Sequence, residues 1–271
     1  MARWAGVDRN SLVPQVRSAI VHRRRRATVA ALLAAFVLVG GCGGGGSDNA
    51  SKTQAPATTT TTTLPAYINL VAEVRVPQVA IYGAPGAATP ATTLPNPWLL
   101  NNDAKLPVQQ VFLIIKHQGP WLQVLLPERP NWSTGWIRAS DVRVTQNRYR
   151  ITVELSAHRI TVYDGTNILL QEAVAVGAPA TPTPLGTYYT RVLLQAPDPH
   201  TVYGPFAYGL SGHSEVLTEF DGGDAEVGIH GNDDASVLGQ SVTHGCVRMS
   251  NDGITKLSTI LPLGTPVQIV A

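Results

Sequence analysis

Cysteine is nearly absent from this 271-residue chain, which holds only Cys42 and Cys246. Two thiols cannot make the disulfide framework of a small secreted scaffold. Aromatic residues reach 6 % and charged residues 14 %, both low, while 25 glycines and 20 prolines favour turns and strands over helices. Long apolar runs are missing too. Ala27–Val39, broken only by Thr28, is about 13 residues, short of the roughly 20 that a membrane-spanning helix needs. The formal charge of +2 hides an imbalance. Residues 1–41 carry seven arginines against Asp8, and the remainder holds 13 basic and 17 acidic residues. That remainder lacks the electrostatic footprint of a nucleic-acid binder. His117, His158, His200 and His213 show no metal-ligand spacing, and Asp233-Asp234 reads as a solvated loop edge, so no metal site is expected.

What is present divides into four. Arg23 to Arg26 followed by Ala27–Val39 reads as a secretory signal over 1–41. Leu38-Val39-Gly40-Gly41-Cys42 resembles the bacterial lipobox, which implies lipid attachment at Cys42; an unmodified Cys42 after simple secretion is the alternative. Residues 42–65, with Thr58 to Thr63 unbroken, cannot bury a core and read as a disordered tether. Over 66–146, Val74-Arg75-Val76, Val108 to Ile115, Trp121 to Leu126, Gly135-Trp136-Ile137 and a last short strand before Val142 suggest a small β-barrel. Trp98, Trp121, Trp132 and Trp136 belong either to its core or to a ligand groove. This part resembles bacterial SH3-like modules.

Residues 147–271 alternate as strands at Arg150–Leu155 and Arg159–Tyr163, with Asp164-Gly165 as a hairpin turn. Ile168–Val176, Thr187–Val192 and Pro266–Val270 follow as strands. Ser250 or Asn251 caps a short helix carrying Ile254, Leu257 and Leu261, ended by Pro262. The fold class is therefore mainly β: a β-rich, sandwich-like domain with a short C-terminal helix, after a small β-barrel.

The chemistry concentrates in residues 228–251, GIHGNDDASVLGQSVTHGCVRMSN. A thiol is only slightly ionised at neutral pH, and a neighbouring imidazole lowers its pKa and takes its proton during attack. Cys246 is thus a nucleophile or, on the plainer reading, a buried small hydrophobe. His230 and His244 both stand as possible bases. The N–H groups around Gly245 and Cys246 are candidate oxyanion donors. Arg248 suits either a substrate carboxylate or loop carbonyls.

Ile229-His230-Gly231 with Thr243-His244-Gly245-Cys246-Val247-Arg248-Met249-Ser250-Asn251 resembles the signature of the L,D-transpeptidase catalytic domain. The resemblance runs from about Arg150 to the C-terminus. It implies Cys246 as nucleophile and His230 as base, with Thr243, His244 and Gly245 shaping the oxyanion loop. Tyr203, in a segment bordering the site, and Arg248 are the implied substrate contacts. The implied reaction is 3-3 cross-linking of peptidoglycan stem peptides through a Cys246 thioester, with release of D-alanine and no cofactor. Carbapenem acylation, a lipid-anchored location outside the membrane and an SH3-like module orienting the enzyme on the wall complete the expectation. A carboxypeptidase-type hydrolase and an inactive wall-binding lipoprotein are the alternatives.

Overall fold

A computed structural model describes residues 67–100, 106–220 and 223–271. The expected signal segment 1–41, lipid site Cys42 and tether 42–65 lie outside the described residues. The first part of the chain contributes β1 (Asn69–Val74), β2 (Gln78–Ile81), β3 (Thr92–Pro95), β4 (Trp98–Leu99), β5 (Pro107–Val108), β6 (Val111–Gln118), β7 (Trp121–Leu125), β8 (Thr134–Arg138) and β9 (Val142–Asn147). Five of these form one sheet in the order β8-β7-β6-β1-β9. Alternation in β1 and the apolar run of β6 turn Val71, Phe112, Leu122, Val124 and Ile137 into one buried cluster.

Two details differ from expectation. Val76 lies beyond β1, because the backbone at Val74 and Arg75 bonds Gln110 and Asp141 rather than a continuing ladder. Ala139–Asp141 make a short 3-10 turn instead of a strand, and the strand begins at Val142, pairing with β1 as far as Asn69↔Asn147. Of the four tryptophans only Trp136 is buried; Trp132 is exposed, and Trp98 stacks under the Arg191 guanidinium at 3.9 Å. Trp121 is half-buried and lines a surface cavity with Pro120, Arg138 and Gly86.

The second part contributes β10 (Tyr149–Glu154), β11 (Arg159–Asp164), β12 (Asn167–Ala173), β13 (Val176–Gly177), β14 (Gly186–Gln195), β15 (Phe206–His213), β16 (Glu226–His230), β17 (Ser241–Thr243), β18 (Val247–Arg248), α1 (Asn251–Ile260) and β19 (Pro266–Val270). Eight strands run in the order β12-β11-β10-β19-β14-β15-β16-β18. The pairs β10–β19 and β16–β18 are parallel. The ten-residue β14 pairs with β19 through its first half and with β15 through its second, with a register shift between Thr190 and Val192. Ile151, Val153, Ile160 and Val162 from one half of the sheet share a core with Tyr208, Leu210, Val227, Ile229 and Val247 from the other. The fold is thus mainly β and sandwich-like. The expected run Ile168–Val176 is broken after Ala173, where the chain leaves β12 to pair as β13 with β17.

The single α-helix among the described residues closes this core with Ile254 and Leu257, both fully buried. Ser250 is its N-cap, accepting from the Gly253 N–H. The Glu172 carboxylate in turn accepts from the N–H and hydroxyl of Ser250 at 2.9 and 3.0 Å. That cap fixes where the chain leaves β18, and so where the residues just before it stand.

Candidate active site

The site grows from the parallel pair β16–β18, whose register is Ile229↔Val247 and His230↔Arg248. Ile229 and Val247 are fully buried in the core. Side chains alternate along a strand, so Gly228 and His230 leave β16 from its other face, and Arg248 leaves β18 likewise. Cys246, two residues before Arg248, joins that face: the Gly228 N–H points at its sulfur at 3.4 Å. Cys246 is a free, half-buried thiol.

His230 is almost wholly buried. Its Nδ1 lies 2.7 Å from the Gly231 carbonyl oxygen. A carbonyl only accepts, so Nδ1 carries the hydrogen and Nε2 keeps a lone pair. The orienting group is therefore a backbone carbonyl. The Tyr203 ring rests against the imidazole, with centroids 4.9 Å apart. Burial is the main force on the ring's charge and the nearby Arg248 guanidinium adds to it. Together they outweigh the carbonyls of Gly231 and Val202 and bring the pKa down to about 4. His230 is thus neutral at pH 7.

Burial also pushes the Cys246 thiol up, against the opposing pull of the Gly228 N–H and the Arg248 charge. This corrects the expectation that an imidazole would lower the thiol's pKa. A neutral ring brings no charge to stabilise a thiolate, so the resting pair is thiol and imidazole.

Thr243 organises the loop before Cys246. Its hydroxyl donates to the Cys246 carbonyl at 2.6 Å and accepts from the Gly245 N–H at 3.1 Å. Its own carbonyl receives the Thr181 hydroxyl and the Ala178 N–H, both at 2.9 Å. The Thr-Pro turn over 181–186 thus buttresses the loop from outside. Gly245 sits at φ +117, where a side chain would be strained. Its N–H, expected as an oxyanion donor, is occupied by Thr243.

His244 is exposed and packs on Phe220, with ring centroids 5.2 Å apart, rather than deep in the site. Arg248 bonds Ala175 through its backbone, while its buried Nε has no hydrogen-bond partner among the described residues. Three contributions were not expected from the sequence. One is the Gly228 N–H. Another is Glu172 at the helix cap. The third is Asn251, whose Oδ1 accepts from the Asn232 N–H at 2.8 Å and holds the turn after His230. Among the described residues, no three His, Cys, Asp or Glu side chains gather as a metal cluster.

A half-buried thiol and a neutral, carbonyl-oriented imidazole on the same face of the paired strands β16 and β18 make up the candidate site of this β-sandwich. Residues 148–269 match the family model described as the L,D-transpeptidase catalytic domain, YkuD. A protein named L,D-transpeptidase YkuD in Bacillus licheniformis is 30 % identical over 155 residues, which cover 54 % of this chain and 85 % of that protein. Its namesake in Bacillus subtilis is 32 % identical over 122 residues, covering 45 % and 65 %. The chain belongs to the L,D-transpeptidase catalytic-domain family. Among solved structures, the catalytic domain of an Enterococcus faecium L,D-transpeptidase is 21 % identical, with a TM-score of 0.32, over 45 % of this chain and 95 % of that one. L,D-transpeptidase 3 of Mycobacterium tuberculosis, in complex with a faropenem-derived adduct, is 14 % identical, with a TM-score of 0.39, over 60 % and 92 %. The family assignment rests on the sequence relatives, not on these.

Proposed function

We propose that this chain forms 3-3 cross-links in peptidoglycan through a thioester on Cys246. The reading is carried by the Gly228 N–H aimed at the Cys246 sulfur, with His230, oriented by the Gly231 carbonyl, on the same face. His230 takes the thiol proton as the sulfur attacks the carbonyl of the third residue of a tetrapeptide stem. The oxyanion is held by loop N–H groups; with Gly245 engaged, those of His244 and Cys246 fit best. The carbon–nitrogen bond breaks, and the imidazolium returns its proton to the departing D-alanine amine. A side-chain amine of a second stem then attacks the thioester and loses its proton to His230, and the sulfur leaves as thiol. A neutral imidazole suits this cycle, since it must accept before it donates.

Arg248 is close enough to both groups to influence their charge, and its Nε, without a hydrogen-bond partner among the described residues, suits a donor carboxylate. Lipid attachment at Cys42 and the tether over 42–65 keep the domain at the outer face of the membrane, and the first β-module, read as SH3-like, orients it toward the wall. Fatty-acid labelling that survives in Cys42→Ser would exclude the anchor.

The deciding experiment incubates a disaccharide-tetrapeptide with wild type and with Cys246→Ala, with and without an amine acceptor. D-Alanine release and cross-linked product from wild type alone are expected. Release in the mutant would remove Cys246 from the mechanism. Release without transfer to the amine would make the protein a hydrolase. A Cys246 adduct with a carbapenem, detected by mass, is the companion result.

A further inference from the structure

The loop between β7 and β8 belongs to the first β-module, yet its Arg129 and Asn131 side chains are directed at the second. Arg129 spreads its guanidinium over one stretch of chain between β15 and β16. Nη1 donates to the Ser214 carbonyl at 2.6 Å and Nη2 to the carbonyls of Leu217 and Asp224 at 2.9 and 3.1 Å, while Nε reaches Asp224 Oδ1 at 3.3 Å. Two positions away, Asn131 closes a ring with the backbone of His213. Its Nδ2 donates to the His213 carbonyl and its Oδ1 accepts the His213 N–H, both at 2.9 Å.

These bonds hold chain ends that lead straight to the site. Asp224 stands two residues before β16, whose Gly228 touches the Cys246 sulfur and whose last residue is His230. Downstream of Ser214 and Leu217, Phe220 lies against the His244 ring. Arg129 itself is a third exposed and Asp224 nearly two thirds, so their ion pair contributes little as a charge pair. What Arg129 offers is geometry: a planar fork satisfying three carbonyls at once, which no other side chain reproduces.

We infer that Arg129 is a positioning residue for the transpeptidase site, fixing the segment that carries Phe220 to His244 and the entry into β16. The first β-module thereby sets donor binding in the second. The inference rests on the proposed reaction, because His244 and β16 carry groups that the reaction uses. It does not place Arg129 on the substrate. Loss of these hydrogen bonds, partly replaced by water, translates into roughly a tenfold effect.

The test uses the full chain as wild type, Arg129→Ala and Arg129→Lys. Lysine keeps the charge and loses the fork. In Arg129→Ala, KM for D-alanine release from a disaccharide-tetrapeptide should rise about tenfold while kcat stays within about threefold. Alkylation of Cys246 by iodoacetamide should change by less than about twofold, since the small reagent needs no positioned segment. Arg129→Lys should resemble Arg129→Ala. Should the alanine variant fold poorly, the lysine variant alone decides. An unchanged KM, or full rescue by lysine, overturns the inference. If wild type releases no D-alanine at all, the proposed reaction fails instead. Amide hydrogen exchange at Ser214 and Leu217 then judges the clamp: faster exchange in Arg129→Ala upholds it, and equal exchange removes it.

Discussion

His230 carries the clearest pH signature in the molecule. Its pKa falls from 6.5 to about 4 because the ring is buried away from water. At about 1.4 kcal/mol per pKa unit, the fold disfavours the imidazolium by about 3 kcal/mol. In the unfolded chain the ring protonates near 6.5. Between that pH and about 4 the unfolded state therefore binds a proton that the folded state does not. Stability must then fall as pH drops through this window, and must be flat in this contribution above it. His213, also lowered by burial, contributes in the same direction, so wild type alone cannot isolate the effect. The informative quantity is the difference between wild type and His230→Asn, from urea unfolding at a series of pH values down to about 4. Relative to the variant, wild type should lose up to about 3 kcal/mol across the window. Parallel curves would refute the buried, neutral ring. The same reasoning fixes the acidic limb of kcat/KM. If neutral His230 is the base, activity should fall near pH 4 and not near 6.5. On the alkaline side, alkylation of Cys246 should still be rising beyond the ordinary thiol range, because burial raises that group.

Two substitutions test the framework around the pair. Gly231→Ala would put a Cβ 2.3 Å from Asn251 Oδ1 and 3.0 Å from the Gly204 Cα. Backbone cannot yield there cheaply, so a loss of about 1–3 kcal/mol is expected in melting experiments. Displacing the Gly231 carbonyl from His230 Nδ1 should also slow acylation of Cys246 by tenfold or more on the scale of one lost hydrogen bond. Normal acylation would show that this carbonyl does not orient the ring. Thr243→Val keeps the shape and removes the hydroxyl that joins Gly245 to Cys246. Acylation should drop about ten- to a hundredfold, with Thr243→Ser close to wild type. Equal rates for valine and wild type would mean that the hydroxyl does not shape the loop.

The contrast between what could be read from residues alone and what needed coordinates has a physical basis. The helix over Asn251–Ile260 was legible because its cap, its apolar spacing and its terminating proline are local signals. So were β10 and β11, by their alternation, and the Asp164-Gly165 turn that joins β11 to β12. The motif that carries Cys246 and His230 was legible. Its electrostatics were not, because the thiol's pKa depends on burial and on Arg248, which no spacing reveals. Gly245 could be recognised as a special position, but its N–H could not be recognised as occupied. That required Thr243 Oγ1 to be seen folding back two residues.

Long-range polar contacts were wholly hidden, and they bear most directly on how the two β-modules work. Arg129 meets residues 85–95 positions downstream, and Asn131 meets His213 across 82. Before folding, Arg-Pro-Asn between two strands reads as an ordinary turn, and its charge as an ordinary solvated charge. Apolar packing joins the same two parts: Tyr189 of β14 is buried in the first module's core, and Gly264 approaches the Val71 side chain so closely that a Cβ would lie 2.5 Å from it. A surface that needed only to space a catalytic domain from the membrane could be joined by apolar contact alone. Arg129 and Asn131 instead spend six hydrogen bonds on the stretch that leads into β16. Bonds to backbone carbonyls fix where a chain runs rather than how stable it is, since water would otherwise satisfy the same groups. If Arg129 and Asn131 position that segment, which carries Phe220 to His244, replacing both with alanine should cost substrate binding before it costs folding of the second core.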